Sequence, residues 1–123
     1  MEPLVSQTNR DVLVVYFTDA NLVSAAQVEA AGAGLLDMMN RAEHRKLLLN
    51  FQVVRAMSSS MLGKLLGLRK QCVANKIDLK LCNICDDIME VFKVTKLHKV
   101  FDIRDDEAAA LKAFGRVGWF FRR

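Results

Sequence analysis

Residues 47–72 read LLLNFQVVRAMSSSMLGKLLGLRKQC: an apolar run, a short polar step, three consecutive serines, then a second apolar pattern with a different period. The first part, within Lys46 to Val54, is too dense in Leu, Phe and Val for simple alternation. It predicts a central strand covered on both faces. Beyond the serines, Leu62, Leu65, Leu66, Arg69, Cys72 and Val73 recur at spacings of three and four, which predicts a helix. A hydroxyl at this junction sits beside the unpaired N–H groups and positive dipole end of that helix. One serine serves as the N-cap, worth about 0.5–2 kcal/mol relative to Ala. Three exceed what one cap needs, so an exposed phosphoacceptor or contact surface stands beside the purely capping reading. A phosphate there adds about −1.5 to −2 charge, which the helix terminus tolerates and an acidic partner does not.

The flanking sequence alternates between strand-like and helix-like segments. Leu4-Val5-Ser6 and Val12 to Phe17 are extended, and the turn-prone Thr8 to Asp11 between them makes an antiparallel hairpin the cheapest connection. Ser24 is placed to cap a helix carrying Val28, Ala31, Leu35 and Met39, in which Gly32 and Gly34 suggest close approach to a sheet. Downstream, Asp78 to Ile84 reads as a third core strand and Asp86-Asp87 opens a short helix with Ile88, Val91 and Phe92. Lys99 to Ile103 reads as a further strand. Asp105-Asp106-Glu107 puts negative charge at the start of a last helix through Phe114. The order β-β-α-β-α-β-α-β-α implies an α/β fold with a mixed, largely parallel sheet, right-handed crossovers and one antiparallel edge.

Composition sets the outer bounds. With 123 residues, the chain has room for one domain, drawn here as residues 1–114 with a short tail at 115–123. It is 52% hydrophobic and 26% charged, with one Pro and six Gly, which is core-forming and excludes disordered and collagen-like classes. The longest apolar run, Val12 to Phe17, falls far short of the ~20 residues of a membrane helix. The start, Met1-Glu2-Pro3, lacks the order of a signal peptide, and three Cys suit a reducing compartment. A soluble cytoplasmic domain is expected. The net charge of +4 is scattered among interleaved acids and gives no ground for a nucleic-acid partner.

Other motifs carry less. Cys82-Asn83-Ile84-Cys85 is a C-x-x-C between a strand and a helix, which admits a thioredoxin-type redox reading. Neither Pro nor Trp flanks it, so buried structural cysteines are the simpler reading. A zinc site from Cys72, Cys82, Cys85 and His98 would need unusual spacing. Gly63-Lys64 lacks the rest of a phosphate loop, and the serines lack the Gly-x-Ser-x-Gly of a nucleophile elbow. His44 and His98 read as surface residues, and no residue-level sign of catalysis, cofactor or metal is present. Gly115 to Arg123 gathers the only Trp and two of the seven Phe among arginines, which fits packing onto the domain, self-association or a partner contact.

The element order and the serine turn together resemble the STAS domain, the anti-sigma-factor antagonist family of bacterial partner-switching systems. Its hallmark is a hydrophobic strand followed by an Asp-Ser-Ser-Gly-Leu-like turn that opens a helix. The corresponding run here is Met57-Ser58-Ser59-Ser60-Met61-Leu62-Gly63, followed by Leu65-Leu66. The similarity spans about residues 4 to 114. It implies a regulatory phosphoserine at Ser60, with Ser59 as the alternative acceptor, and docking through Ser58 to Lys70. Ser58, Ser59, Ser60, Met61 and Lys64 are the implied contacts. The implied partner is an anti-sigma factor or related serine kinase, contacted without catalysis, to regulate transcription. Two positions depart from the family: Ser58 stands for its Asp and Met61 for its Gly. The first removes a carboxylate contact, and the second is expected to put a flexible apolar side chain on the docking surface. A non-switching STAS-like scaffold in a signalling assembly is the alternative.

Overall fold

Two apolar runs, Val12–Phe17 and Lys46–Asn50, lie side by side in the centre of the molecule, with Leu13 opposite Leu47 and Val15 opposite Leu49. The computed structural model describes residues 2–120, and side chains as far as residue 115. In chain order its elements are β1 (Leu4–Asn9), β2 (Val12–Phe17), β3 (Asn21–Leu22), α1 (Ala25–Arg41), β4 (Lys46–Asn50), β5 (Ala56–Met57), α2 (Ser59–Ala74), β6 (Asp78–Cys82), α3 (Asp86–Val94), β7 (Asp102–Arg104) and α4 (Glu107–Phe120). The main sheet has the order β1-β2-β4-β6-β7, parallel throughout except for the β1–β2 hairpin. This is the expected α/β fold with its antiparallel edge.

Strand alternation sorts the core into two layers. Leu13, Val15, Phe17, Leu47, Leu49 and Leu81 face one side, where the apolar stripes of α1, α2 and α3 cover them. Val12, Val14, Leu48 and Cys82 face the other and meet Ala110, Leu111 and Phe114 of α4. The two glycines of α1 explain the close approach there. A Cβ on Gly34 would stand 2.9 Å from Leu4 of β1, and one on Gly32 would stand 2.8 Å from the Lys64 stem of α2. The first approach is to the sheet, as expected; the second is to a neighbouring helix.

Local chemistry sets the element ends. Ser24 and Gln27 form a reciprocal capping box at α1, through the Ser24 Oγ and the Gln27 Oε1. α2 ends in a Schellman motif: Lys76 lies at φ 57°, and the Ile77 and Lys76 N–H groups return to Cys72 and Val73 carbonyls.

Four boundaries differ from the sequence reading. The strand drawn to Val54 stops at Asn50, because the Asn50 Oδ1 accepts the Gln52 N–H (2.9 Å) and turns the chain, although Phe51 and Val54 stay buried. The strand drawn to Ile84 stops at Cys82, since Asn83 is left-handed at φ 57°. The strand drawn from Lys99 begins at Asp102, after a single 3-10 turn at Leu97–Lys99. The last helix runs through residues 115–120, whereas the packing of the aromatic and arginine side chains there lies outside the described residues.

Lys80, on the central β6, is only 1% exposed. Its ammonium reaches Asp102 at 2.7 Å and Asp78 at 3.2 Å and sits 4.8 Å from the Phe114 ring centroid. An isolated buried ammonium is costly, so these partners are what make the position tenable. Burial pulls the Asp102 carboxyl up, but hydrogen bonds and charge from Arg104 and Lys80 outweigh it and hold it below its ordinary value. A depressed carboxyl stabilises the fold above its unfolded pKa, and that contribution is lost as pH falls through the folded one. Asp102→Asn should therefore cost about 1–3 kcal/mol at neutral pH. In urea titrations at stepped pH, the gap to the parent protein should narrow below pH 3.8.

Candidate functional site

The segment between β4 and α2 is fixed before the helix begins. The Ala20 carbonyl accepts the N–H groups of Arg55 (2.7 Å) and Ala56 (3.1 Å), and the Leu22 carbonyl accepts that of Ser58 (3.0 Å). These bonds and the short β3–β5 parallel pair hold the chain ahead of α2 against the start of α1. Sequence reasoning missed this two-stranded sheet, since two-residue strands leave no periodic signal.

Ser58 is the N-cap. Its backbone is extended (φ −82°, ψ 165°) and its Oγ accepts the Met61 N–H at 3.2 Å. That satisfies one of the unpaired donors of the first turn. Helical rotation then separates the next residues. Met61, Leu62, Leu65, Leu68 and Cys72 turn to the sheet, and Ser59 and Ser60 turn to solvent. Among the described residues neither hydroxyl makes a side-chain hydrogen bond. The triplet thus divides into one structural serine and two free ones.

Two expected contacts change. Met61 is 0% exposed and belongs to the core, so it is not on the docking surface as the sequence reading had it. Position three of the helix faces the sheet, and an apolar side chain there joins the buried stripe. Lys64 is half-buried: its stem crosses Gly32 and its ammonium lies 3.2 Å from Glu29, so it ties α2 to α1. In place of these, Gly63, Leu66, Gly67 and Lys70 are exposed on α2 along with Ser59 and Ser60. A Cβ on Gly63 or Gly67 would meet nothing within 4 Å. Internal packing therefore does not require either glycine, although each lowers helix propensity by about 1 kcal/mol relative to Ala. That mismatch was visible in the sequence as two glycines in a helix interior. Beside the turn, Met57 and Leu62 face Ile88 and Val91 of α3 across a cleft of about 220 Å³, with Arg55 and Asp87 also lining it.

The cysteine pair does not form a redox centre. Cys82 lies in the α4-side cluster and Cys85 packs against the core on the opposite face of the sheet. Burial, helped by the charges of Glu107 and Asp106, pushes the Cys82 thiol up to about 12, and burial pushes Cys72 up to about 11. Both favour the unreactive thiol. Among the described residues no group of three or more His, Cys, Asp or Glu side chains converges to hold a metal, and no helix is long and apolar enough to cross a membrane.

A mixed five-stranded sheet with a capped serine turn opening its second helix defines the class. The chain belongs to the STAS domain family, whose model matches residues 4–110. Its fold is similar to that of a putative anti-sigma factor antagonist from Thermotoga maritima (16% identity, covering 89% of this chain and 92% of that one, TM-score 0.76). An anti-sigma-factor antagonist (STAS) domain protein from Planctomyces limnophilus is likewise similar (20% identity, 91% and 97% covered, TM-score 0.79). So is the Bacillus cell fate determinant SpoIIAA in its phosphorylated form (20% identity, 93% and 98% covered, TM-score 0.65).

The division of the serines is directly measurable. Ser58→Ala should lower stability by about 1 kcal/mol through loss of the cap. Ser59→Ala and Ser60→Ala should each change it by less than about 0.5 kcal/mol in the same urea unfolding series.

Proposed function

We propose that this protein is an anti-sigma-factor antagonist that works by partner switching. The unmodified turn and α2, Ser58 to Lys70, dock on an anti-sigma factor or related serine kinase and release a sigma factor. Phosphorylation of Ser60, with Ser59 the alternative acceptor, reverses the docking. The observation that carries this reading is the pair of free, solvent-facing hydroxyls on the first turn of a helix whose cap is already supplied by Ser58. The existence of SpoIIAA, a protein of the same fold, in phosphorylated and unphosphorylated forms supports it.

The chemistry of the surroundings suits a switch that acts outward. Arg55 and Lys64, the basic residues flanking the turn in sequence, are engaged with the Gln52 carbonyl and Glu29. A new phosphate is favoured by the helix terminus but meets no free cation there to neutralise it fully. Its charge is presented to the partner, where repulsion and desolvation oppose docking. The glycines at 63 and 67 fit the same surface, since they let a partner approach the α2 backbone closely.

Ser60→Asp should weaken binding to the cognate anti-sigma factor or kinase about a hundredfold, or ~3 kcal/mol, in calorimetric titrations. Ser60→Ala should leave it unchanged, and Ser59→Asp in the same series identifies the acceptor. Equal affinities for all variants would contradict switching and leave the scaffold reading. Gly63→Ala offers a second, opposed pair of readouts. Unfolding should become harder by about 0.5–1 kcal/mol, while partner affinity should drop at least tenfold. An unchanged affinity would remove the α2 backbone from the interface.

A further inference from the structure

β1 is the outer strand of the main sheet, and its free edge is unusual. It has six residues, Leu4 to Asn9, with no charge, no Pro and no bulge in its pairing with β2. Natural edge strands are generally blunted by one of these devices, because an unblunted edge is a template for another strand. Ser6, Gln7 and Thr8 are exposed, and Val5 is 48% exposed.

The hairpin geometry says which groups the edge offers. Arg10 and Asp11 have φ of 53° and 67°, the two left-handed residues of a type I′ turn. A two-residue turn of this kind makes its flanking residues, Asn9 and Val12, a hydrogen-bonded pair. By alternation Gln7 and Val5 also bond to β2. The Thr18 N–H donating to the Pro3 carbonyl at 3.2 Å continues the same phase. Leu4, Ser6 and Thr8 therefore direct their N–H and C=O groups away from β2.

From this edge we infer that two copies of the chain pair through β1, antiparallel, about a two-fold axis at Ser6. Only one symmetric register uses all three outward residues: Ser6 faces Ser6 of the other copy, and Leu4 faces Thr8. It forms six main-chain hydrogen bonds and joins the sheets into one. In this register Val5 lies opposite Gln7, which covers its exposed side chain. Pro3, whose missing N–H lies on the inward side, does not interrupt the ladder. Glu2 falls opposite Arg10 of the other copy, and symmetry repeats the pair at both ends. That charge match, together with an edge carrying no like charges, selects a second copy over an unrelated strand. The axis is perpendicular to the sheet, so the two serine turns point in opposite directions and both stay open. This association does not depend on the switching mechanism.

Sedimentation equilibrium of the full chain should give a reversible monomer–dimer equilibrium. Glu2→Arg should raise its dissociation constant about tenfold, since two attractions become two repulsions. Arg10→Glu should act similarly, and the double swap Glu2→Arg/Arg10→Glu should restore dimerisation. Ser6→Pro removes an outward N–H that β2 does not use and should give a monomer with an unchanged far-ultraviolet spectrum. A chain that stays monomeric at every concentration would overturn the inference. So would a dimer that ignores the charge swap, or one lost only when residues 115–123 are deleted.

Discussion

The orientation of α2 decides what the domain can present. Its first turn begins with four N–H groups that have no partner within the helix. Ser58 takes one of them, and in doing so sets the rotational phase of everything that follows. With Ser58 as cap, Met61, Leu65, Leu68 and Cys72 fall on the sheet. Ser59 and Ser60 are then left outside. A shift of one position would bury a hydroxyl and expose a methionine, which costs both in desolvation and in lost apolar burial. The exposure of the serines therefore follows from the core as much as from the turn.

The far side of the sheet solves a different problem. A single helix, α4, covers the face that carries Val12, Val14, Leu48 and Cys82. It is held at its start by Glu107, whose Oε1 accepts from the Tyr16 hydroxyl at 2.7 Å and the Asn50 amide at 3.0 Å. Burial and the Glu107 carboxylate push the Tyr16 phenol up to about 12, so it stays a donor. Further along, Phe114 lies over the buried Lys80. These polar contacts fix where the helix sits, and apolar burial supplies the driving force. They also tie the ends of β2 and β4 together beneath the chain that leads to Ser58.

Much of the fold was legible because two dense apolar runs and two three-four periodicities leave few arrangements open. The N-cap at Ser24 and the hairpin after Leu4 followed from local chemistry and were found as expected. What escaped has a common cause: it depends on contacts distant in the chain. Asn50 ends a strand through its own side chain, inside an apolar run that continues to Val54 without any break. Lys80 reads as a flaw in a strand until Asp78 and Asp102 are seen on either side of it. Met61 could be assigned to a surface only while the phase of α2 was unknown; once Ser58 is the cap, helical rotation places it inside. Conversely, the isolation of Gly63 and Gly67 is a three-dimensional fact, though two glycines in a helix were a readable anomaly.

The central claim is that Ser59 and Ser60 are a regulated surface and not surplus capping residues. Site-resolved mass spectrometry of the protein isolated from its own cells, with and without phosphatase treatment, tests this most directly. Phosphate should occur in a phosphatase-sensitive fraction of molecules, confined to this pair and absent from Ser58. A protein carrying no phosphate under any growth condition, or carrying it only elsewhere in the chain, would contradict the account.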